Sequence, residues 1–164
     1  AEKMKSIRIH GGGKDKYENE RIGINGRLDS IQAAVLLEKI EIFYDELSRR
    51  EKVAKYYTHN IHKMFTSPYI PSKYFSSWAQ YSILIPDKLD RNNVIADLHL
   101  KGIPSMVYYK IPVHLQRGYE KYGYSSGDFK ITENISNRIL SLPMHPYLDK
   151  EDQNHIISVL NKYS

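Results

Sequence analysis

Proline and glycine are distributed so unevenly that they divide the chain into two regions with different folding potential. No proline occurs before Pro68, and no glycine occurs between Gly26 and Gly102. Because these residues are the strongest helix breakers, their absence allows long helices between a glycine-rich loop, residues 10–26, and residue 67. All 7 prolines lie at or beyond Pro68, which predicts short elements joined by turns in the rest of the chain.

The helical region has a clear start. Asp29 can cap a helix, and Gln32 lies three residues later, which is the capping-box arrangement. Apolar residues then recur so densely as far as Phe43 that we expect this helix to be buried on more than one side. A second helix is predicted from about Asp45 to Lys63, because apolar residues continue at helical spacing there.

The second region alternates between predicted strands and helices. Strands are expected at Trp78–Ile85, Ile103–Tyr109 and Leu140–Leu142. Helices are expected at 90–102, 115–123 and 129–138, and a last one from about Asp149. The strands are too short for a large parallel sheet, so the sequence predicts an α+β chain with helices on one face of a small sheet. We place the division between the two parts after residue 67.

Composition and charge exclude several classes of protein. The chain has no cysteine, which excludes disulfides, thiolate metal ligands and a cysteine nucleophile within it. The net charge of +5 is spread evenly and no zinc-finger, RNP or basic-zipper pattern occurs, so a solvated surface is favoured over a nucleic-acid-binding face. No stretch approaches the ~18 apolar residues of a membrane span, and no signal segment opens the chain. We expect a cytoplasmic protein that binds neither nucleic acid nor membrane.

Two glycine-containing segments are candidates for anion binding. Gly11–Lys14 lacks the spacing of a phosphate-binding P-loop, which favours a flexible loop. Asn25-Gly26-Arg27 comes directly before the cap at Asp29, where polar side chains near a helix start suit an anion, and the planar guanidinium of Arg27 could hold a phosphate or carboxylate. A turn that carries a surface arginine is the alternative interpretation.

The remaining candidates are histidines and tyrosines. His59 and His62 are the closest histidine pair, but no carboxylate cluster accompanies them at ligand spacing, so no metal site is predicted. Tyr108, Tyr109 and His114 lie where a predicted strand runs into a proline-containing loop. Polar aromatic residues in that position suit a ligand-binding wall, and core packing of at least one tyrosine is the alternative.

Taken in order, these motifs resemble the DegT/StrS-type pyridoxal-phosphate-dependent nucleotide-sugar aminotransferases. The resemblance covers essentially the whole chain but only the C-terminal part of such enzymes. It rests on the segments Arg8–Gly11, Lys16-Tyr17, Arg21–Asp29, Gln32–Ala34, Leu37–Ile40, Trp78–Tyr81, Gly102–Pro104, Tyr108–Gln116 and Leu140–Leu148. It implies the C-terminal domain of a fold-type I aminotransferase. One departure is Lys110, where the family usually has proline.

The resemblance also implies roles for single residues, as expectations. Asn25 would bind the phosphate of pyridoxal 5'-phosphate in the partner subunit's active site, and Arg27 would contact the phosphates or acid group of the substrate. His10 and the loop as far as Lys16 would border the substrate channel. The walls around the sugar and nucleotide would come from Tyr108, Tyr109 and His114. Residues 1–67 would then border the active site and the dimer interface, and 68–164 would form the small domain.

The resemblance implies a homodimer that aminates a UDP-linked keto-sugar, with glutamate as the amino donor, for lipopolysaccharide or another surface glycan. The family's cofactor-binding lysine lies outside the matched segments, so no catalytic residue is assigned and the 164-residue chain alone is expected to be inactive. The alternatives are a stand-alone, non-enzymatic binding or interaction module and, less favoured, a small basic nucleic-acid-binding protein.

Overall fold

A computed structural model describes residues 1–15 and 17–164, so Lys16 lies outside the described residues. Within the described residues, five α-helices, two strands and three short 3₁₀ helices follow in chain order. They are α1 Glu2–Arg8, α2 Ser30–Asn60, β1 Tyr81–Leu84, α3 Arg91–Leu100, the 3₁₀ helices Val113–Leu115 and Arg117–Tyr122, α4 Lys130–Arg138, β2 Ile139–Leu142, α5 Lys150–Leu160 and the 3₁₀ helix Asn161–Tyr163.

The long helix α2 replaces the two helices predicted from the sequence. Asp29 begins it as predicted, because its Oδ1 accepts a hydrogen bond of 2.8 Å from the Gln32 backbone N–H. The predicted break between Phe43 and Asp45 is wrong, and the helix continues to Asn60. The physical reason is that residues 30–60 contain no glycine or proline, so no helix-breaking residue interrupts the hydrogen-bonded helix.

The chain divides into two compact units, residues 1–44 and 45–164, and the boundary lies inside α2. In the first unit the apolar side chains of α2 are largely exposed, Ile31 by 80% and Ile40 by 63%. The expectation that this helix is buried on more than one side is therefore wrong for the described residues, because they place nothing over that face. Our division after residue 67 remains a proposal.

The second unit is built on one antiparallel pair of strands, with Tyr81 opposite Leu142 and Leu84 opposite Ile139. The third predicted strand, Ile103–Tyr109, is not formed. Only Met106 pairs, by exchanging backbone hydrogen bonds of 3.1 and 2.8 Å with Ser141. Pro104 has no N–H to extend this pairing, and the chain turns at residues 108–111.

Aromatic side chains form the centre of the core in the second unit. Tyr57 and Tyr81 are fully buried with ring centroids 5.0 Å apart, and Trp78 lies 5.7 Å from Tyr81. Both buried hydroxyls have partners, since Tyr57 donates to the Pro143 carbonyl at 3.1 Å and Tyr81 lies 2.9 Å from the Thr58 hydroxyl. Burial raises the pKa of Tyr57 and of Tyr81, so both remain neutral packing groups.

Helices α3 and α5 begin where the sequence predicts. Asp90 Oδ1 accepts the Asn92 N–H at 2.7 Å to cap α3, and Asp149 Oδ1 accepts the Asp152 N–H at 2.8 Å to cap α5. Within the described residues, none of the helices combines the length and the apolar character needed to cross a lipid bilayer.

Candidate cofactor and substrate site

The first group of candidate residues lies on a loop that is closed by backbone hydrogen bonds to the end of α1. His10 N–H donates to Ile24 O at 3.0 Å, and Ile24 N–H donates to Ile7 O at 2.8 Å. Gly26 N–H donates to Arg8 O at 2.8 Å, and Ile9 and Asn25 form an isolated antiparallel bridge. These bonds hold the backbone of Asn25 in a fixed place beside the helix end.

Glycine is required where the two arms of this loop meet. Gly11 has a φ of 78°, and a Cβ there would overlap the Arg21 carbonyl. A Cβ on Gly23 would lie 2.5 Å from the His10 carbonyl carbon and 2.6 Å from Ile7 O. Only residues without a side chain allow this close approach, which explains the glycine content of the segment physically.

Two side chains that the sequence did not single out complete the loop. Arg21 donates to the Ser6 hydroxyl and, at 3.2 Å, to Glu20. Ser6 in turn donates to the Gly12 carbonyl at 2.7 Å. Sequence spacing contains no signal for this arrangement, because Ser6 and Arg21 come together only when the loop closes. Arg21 therefore acts as a loop support.

Asn25 and Arg27 form a pair of exposed donors on this support. Arg27 Nε donates to Asn25 Oδ1 at 3.3 Å, so the carbonyl oxygen of the amide is occupied and its N–H₂ group has no partner among the described residues. The terminal nitrogens of Arg27 likewise have no hydrogen-bond partner among the described residues. Amide and guanidinium N–H groups at one place suit a phosphate or carboxylate. His10 is also exposed, with a φ of 58°.

The second group of candidates surrounds a cavity of ≈ 500 Å³ in the second unit. Tyr108 is partly buried and Tyr109 is 71% exposed, and their rings meet edge to face at 5.7 Å. The other lining residues, mostly apolar, are Ile111, Pro112, Val113, Gln116, Tyr119, Thr132, Ile135, Ser136 and Ile139. The cavity is large enough for a small organic ligand. Its polar lining residues are Tyr108, Tyr109, Gln116, Tyr119, Thr132 and Ser136.

His114 lies beside this cavity and lines a neighbouring concavity of ≈ 300 Å³. Its Nε2 is 3.2 Å from Glu133 Oε1, and its ring is 4.7 Å from that of Phe129. Only 9% of the His114 side chain is exposed. Glu133 was not predicted from the sequence, and its separation from His114 gives no pattern that could have identified it.

Glu133 is held ionised by its surroundings. The Gly127 backbone N–H, which lies 2.9 Å from both carboxylate oxygens, is the main group that lowers its pKa. The Phe129 N–H, His114 and the Ser126 hydroxyl add to this effect, and desolvation opposes it.

The six predicted site residues thus fall into two groups, each within one compact unit. His10, Asn25 and Arg27 share the loop of the first unit, whereas Tyr108, Tyr109 and His114 lie together in the second. The predicted role of the loop as far as Lys16 concerns a segment whose last residue lies outside the described residues. Across the described residues, no group of three or more histidine, aspartate or glutamate side chains is placed to hold a metal ion.

Comparison with solved structures defines the class of fold. A DegT DnrJ EryC1 StrS aminotransferase from Brucella abortus superimposes with a TM-score of 0.85 at 44% identity, over 99% of this chain and 43% of that one. PseC of Helicobacter pylori, an aminotransferase of pseudoaminic acid biosynthesis, gives a TM-score of 0.82 at 30% identity, over 98% and 45%. The fold is that of the C-terminal part of a sugar aminotransferase.

Sequence comparison identifies the family. A UDP-2-acetamido-2-deoxy-3-oxo-D-glucuronate aminotransferase of Pseudomonas aeruginosa is 38% identical over 149 residues, which is 89% of this chain and 39% of that protein. A dTDP-3-amino-3,6-dideoxy-alpha-D-galactopyranose transaminase of Aneurinibacillus thermoaerophilus is 30% identical, over 99% and 44%. Residues 1–161 match the DegT/DnrJ/EryC1/StrS aminotransferase family, and the chain belongs to it. The chain spans less than half the length of these relatives.

Proposed function

We propose that this chain is the C-terminal part of a pyridoxal-phosphate-dependent aminotransferase that aminates a UDP-linked keto-sugar. Glutamate is the proposed amino donor, and lipopolysaccharide or another surface glycan is the proposed destination of the amino sugar. The observation that carries the proposal is the family match over residues 1–161. The P. aeruginosa relative, named for a UDP-linked 3-oxo-glucuronate, supports the choice of substrate class. We place the reaction in the cytoplasm.

The residues of the loop fit the phosphate of the cofactor. Asn25 offers an unoccupied amide N–H₂ group, on a backbone that is fixed by the bridge to Ile9. The two N–H donors of this neutral amide can stabilise the phosphate charge by hydrogen bonding, without any change in protonation. When bound, pyridoxal phosphate supplies the electron sink that amino-group transfer needs, and this chain contributes anchoring of the phosphate.

Each group of residues, taken by itself, has a proposed role in substrate binding. Arg27 would pair with the diphosphate or with the acid group of a uronate, since its guanidinium can form two parallel hydrogen bonds to either. Tyr108 and Tyr109 would contact the sugar, because aromatic faces pack against its C–H groups while their hydroxyls bond its oxygens. His114 would complete this wall, and His10 would border the entrance.

A homodimer is proposed because the first unit leaves a dense apolar surface uncovered. Large apolar side chains between residues 28 and 44 are at least 42% exposed. They are Leu28, Ile31, Val35, Leu36, Leu37, Ile40, Ile42, Phe43 and Tyr44. Apolar patches of this density are rarely left in water, so a second copy and the remainder of the enzyme are the proposed partners.

The cofactor role of Asn25 is tested by affinity. In the complete polypeptide that contains this chain, Asn25→Ala should weaken pyridoxal phosphate binding by about ten- to a hundredfold, the effect of one hydrogen bond to a charged group. Asn93→Ala, an exposed asparagine on α3, is the matched control and should leave the affinity unchanged. Equal affinities in wild type and Asn25→Ala would refute the proposed role.

A further inference from the structure

Glu133 of α4 accepts hydrogen bonds from two separate segments of the second unit. Its two oxygens each lie 2.9 Å from the Gly127 N–H, and Oε1 lies 3.2 Å from the Phe129 N–H. The Ser126 hydroxyl donates to Oε2 at 3.2 Å, and His114 Nε2 lies 3.2 Å from Oε1. One carboxylate therefore joins the 3₁₀ helix Val113–Leu115, the loop 125–129 and α4.

The two elements that Glu133 and His114 link, α4 and the 3₁₀ helix, both contribute to the lining of the Tyr108–Tyr109 cavity. Thr132, next to Glu133 on α4, lines the cavity, and so does Val113, next to His114 on the 3₁₀ helix. The ring of Phe129 packs against His114, and Tyr124 packs against Phe129 at 5.1 Å. Removing the carboxylate would break the hydrogen bonds that tie α4 to both the 3₁₀ helix and the loop.

His114 is too enclosed to change its orientation independently of Glu133. With 9% of its side chain exposed, it lies between the carboxylate and the Phe129 ring. Its distance to Glu133 requires a proton on Nε2, because an ionised carboxylate can only accept a hydrogen bond. Glu133 thus determines both the direction of the ring and the nitrogen that carries the proton.

We propose that Glu133 is a positioning residue for substrate binding, acting through His114 and the loop 125–129 to hold the wall that Val113 and Thr132 contribute to the Tyr108–Tyr109 cavity. The proposal rests on the function proposed above, since the cavity is taken as part of the sugar site. It assigns Glu133 no contact with the substrate. Its effect is on the shape and the persistence of the wall.

The test compares Glu133→Ala, Glu133→Gln and the control Glu120→Ala in the complete polypeptide. Glu120 carries the same charge on the neighbouring 3₁₀ helix and is exposed. Hydrogen exchange measured by mass spectrometry reports on the loop, and steady-state kinetics separate KM from kcat. Slow exchange of the amides in β1 and β2, at the centre of the core, verifies that the second unit is folded in each variant.

In Glu133→Ala we expect the amides of 125–129 to exchange at least about tenfold faster and KM for the nucleotide sugar to rise about tenfold, with kcat within about twofold of wild type. Glu133→Gln keeps one carbonyl acceptor and should recover part of both effects. It also serves as the test variant if Glu133→Ala does not fold. Glu120→Ala should match wild type in both measurements.

Two results overturn the positioning role. One is unchanged amide exchange in 125–129 of Glu133→Ala. The other is a loss of kcat of about tenfold with an unchanged KM. A wild-type polypeptide that transfers no amino group counts against the proposed function instead, and the exchange result then still decides whether Glu133 organises the loop.

Discussion

Substituting Gly23 by alanine should loosen the loop that carries Asn25 while leaving the second unit intact. A Cβ at this position would lie 2.5 Å from the His10 carbonyl carbon and 2.6 Å from Ile7 O. Ordinary contacts require about 3.5 Å or more, so the backbone has to retreat by roughly 1 Å. The neighbouring groups are themselves backbone, so no side chain can rotate away to relieve the overlap.

The loss of local stability in Gly23→Ala follows from the contacts that the backbone movement disrupts. Overpacking of this kind costs about 1–3 kcal/mol. The hydrogen bonds from Ile24 N–H to Ile7 O, at 2.8 Å, and from His10 N–H to Ile24 O, at 3.0 Å, span the same contact. Each contributes about 1 kcal/mol. A local loss of about 2–4 kcal/mol should speed exchange of the amides in 22–26 by at least about thirtyfold.

Hydrogen exchange and Trp78 fluorescence separate this local effect from a global one. Trp78 is buried in the core of the second unit, so its thermal transition should shift by less than about 2 °C in Gly23→Ala. Gly118→Ala is the control, because nothing lies within 4 Å of its added Cβ, and it should change neither measurement. Unchanged exchange in 22–26, or an equal effect of Gly118→Ala, would refute the argument.

Three further changes have defined outcomes. Tyr57→Phe removes the buried hydroxyl that donates to Pro143 O and should lower the free energy of unfolding by about 1–2 kcal/mol in urea titrations. Asp149→Ala removes the cap of α5 and should cost about 1 kcal/mol in the same assay. Because the pKa of Glu133 is lowered on folding, its contribution to stability is present above the usual carboxyl pKa of about 4.3 and disappears as pH falls through the lowered value. The NMR signal of the Gly127 amide should follow that acid transition, and Glu133→Gln should abolish it.

Helix starts and the core face were predictable because local signals determine them. Asp29, Asp90 and Asp149 each cap a helix through a short-range hydrogen bond that the sequence displays. The helical spacing of apolar residues from about Asp45 to Lys63 was also informative, since Val53 and Tyr57 within it are buried. In these places local preference and tertiary packing agree.

The features that the sequence did not predict depend on contacts between distant parts of the chain. Whether Ile103–Tyr109 pairs as a strand depends on how far the segment can follow Ser141, and it does so at one residue only. The link between His114 and Glu133 exists because α4 packs beside a 3₁₀ helix, which no residue spacing encodes. Whether the apolar side chains in the first half of α2 are buried depends on which segments pack against them. The periodicity of the helix itself does not identify those segments.

The most direct test of the central claim is transfer of an amino group by the complete polypeptide that contains this chain. With pyridoxal phosphate, ¹⁵N-labelled glutamate and a UDP-linked 3-oxo sugar, we predict a ¹⁵N-amino sugar nucleotide by mass spectrometry, with one 2-oxoglutarate formed per sugar. Arg27→Ala should raise KM for the nucleotide sugar in the same assay. Absence of labelled product from a folded, cofactor-loaded polypeptide, across UDP- and dTDP-linked keto-sugars, would contradict the account.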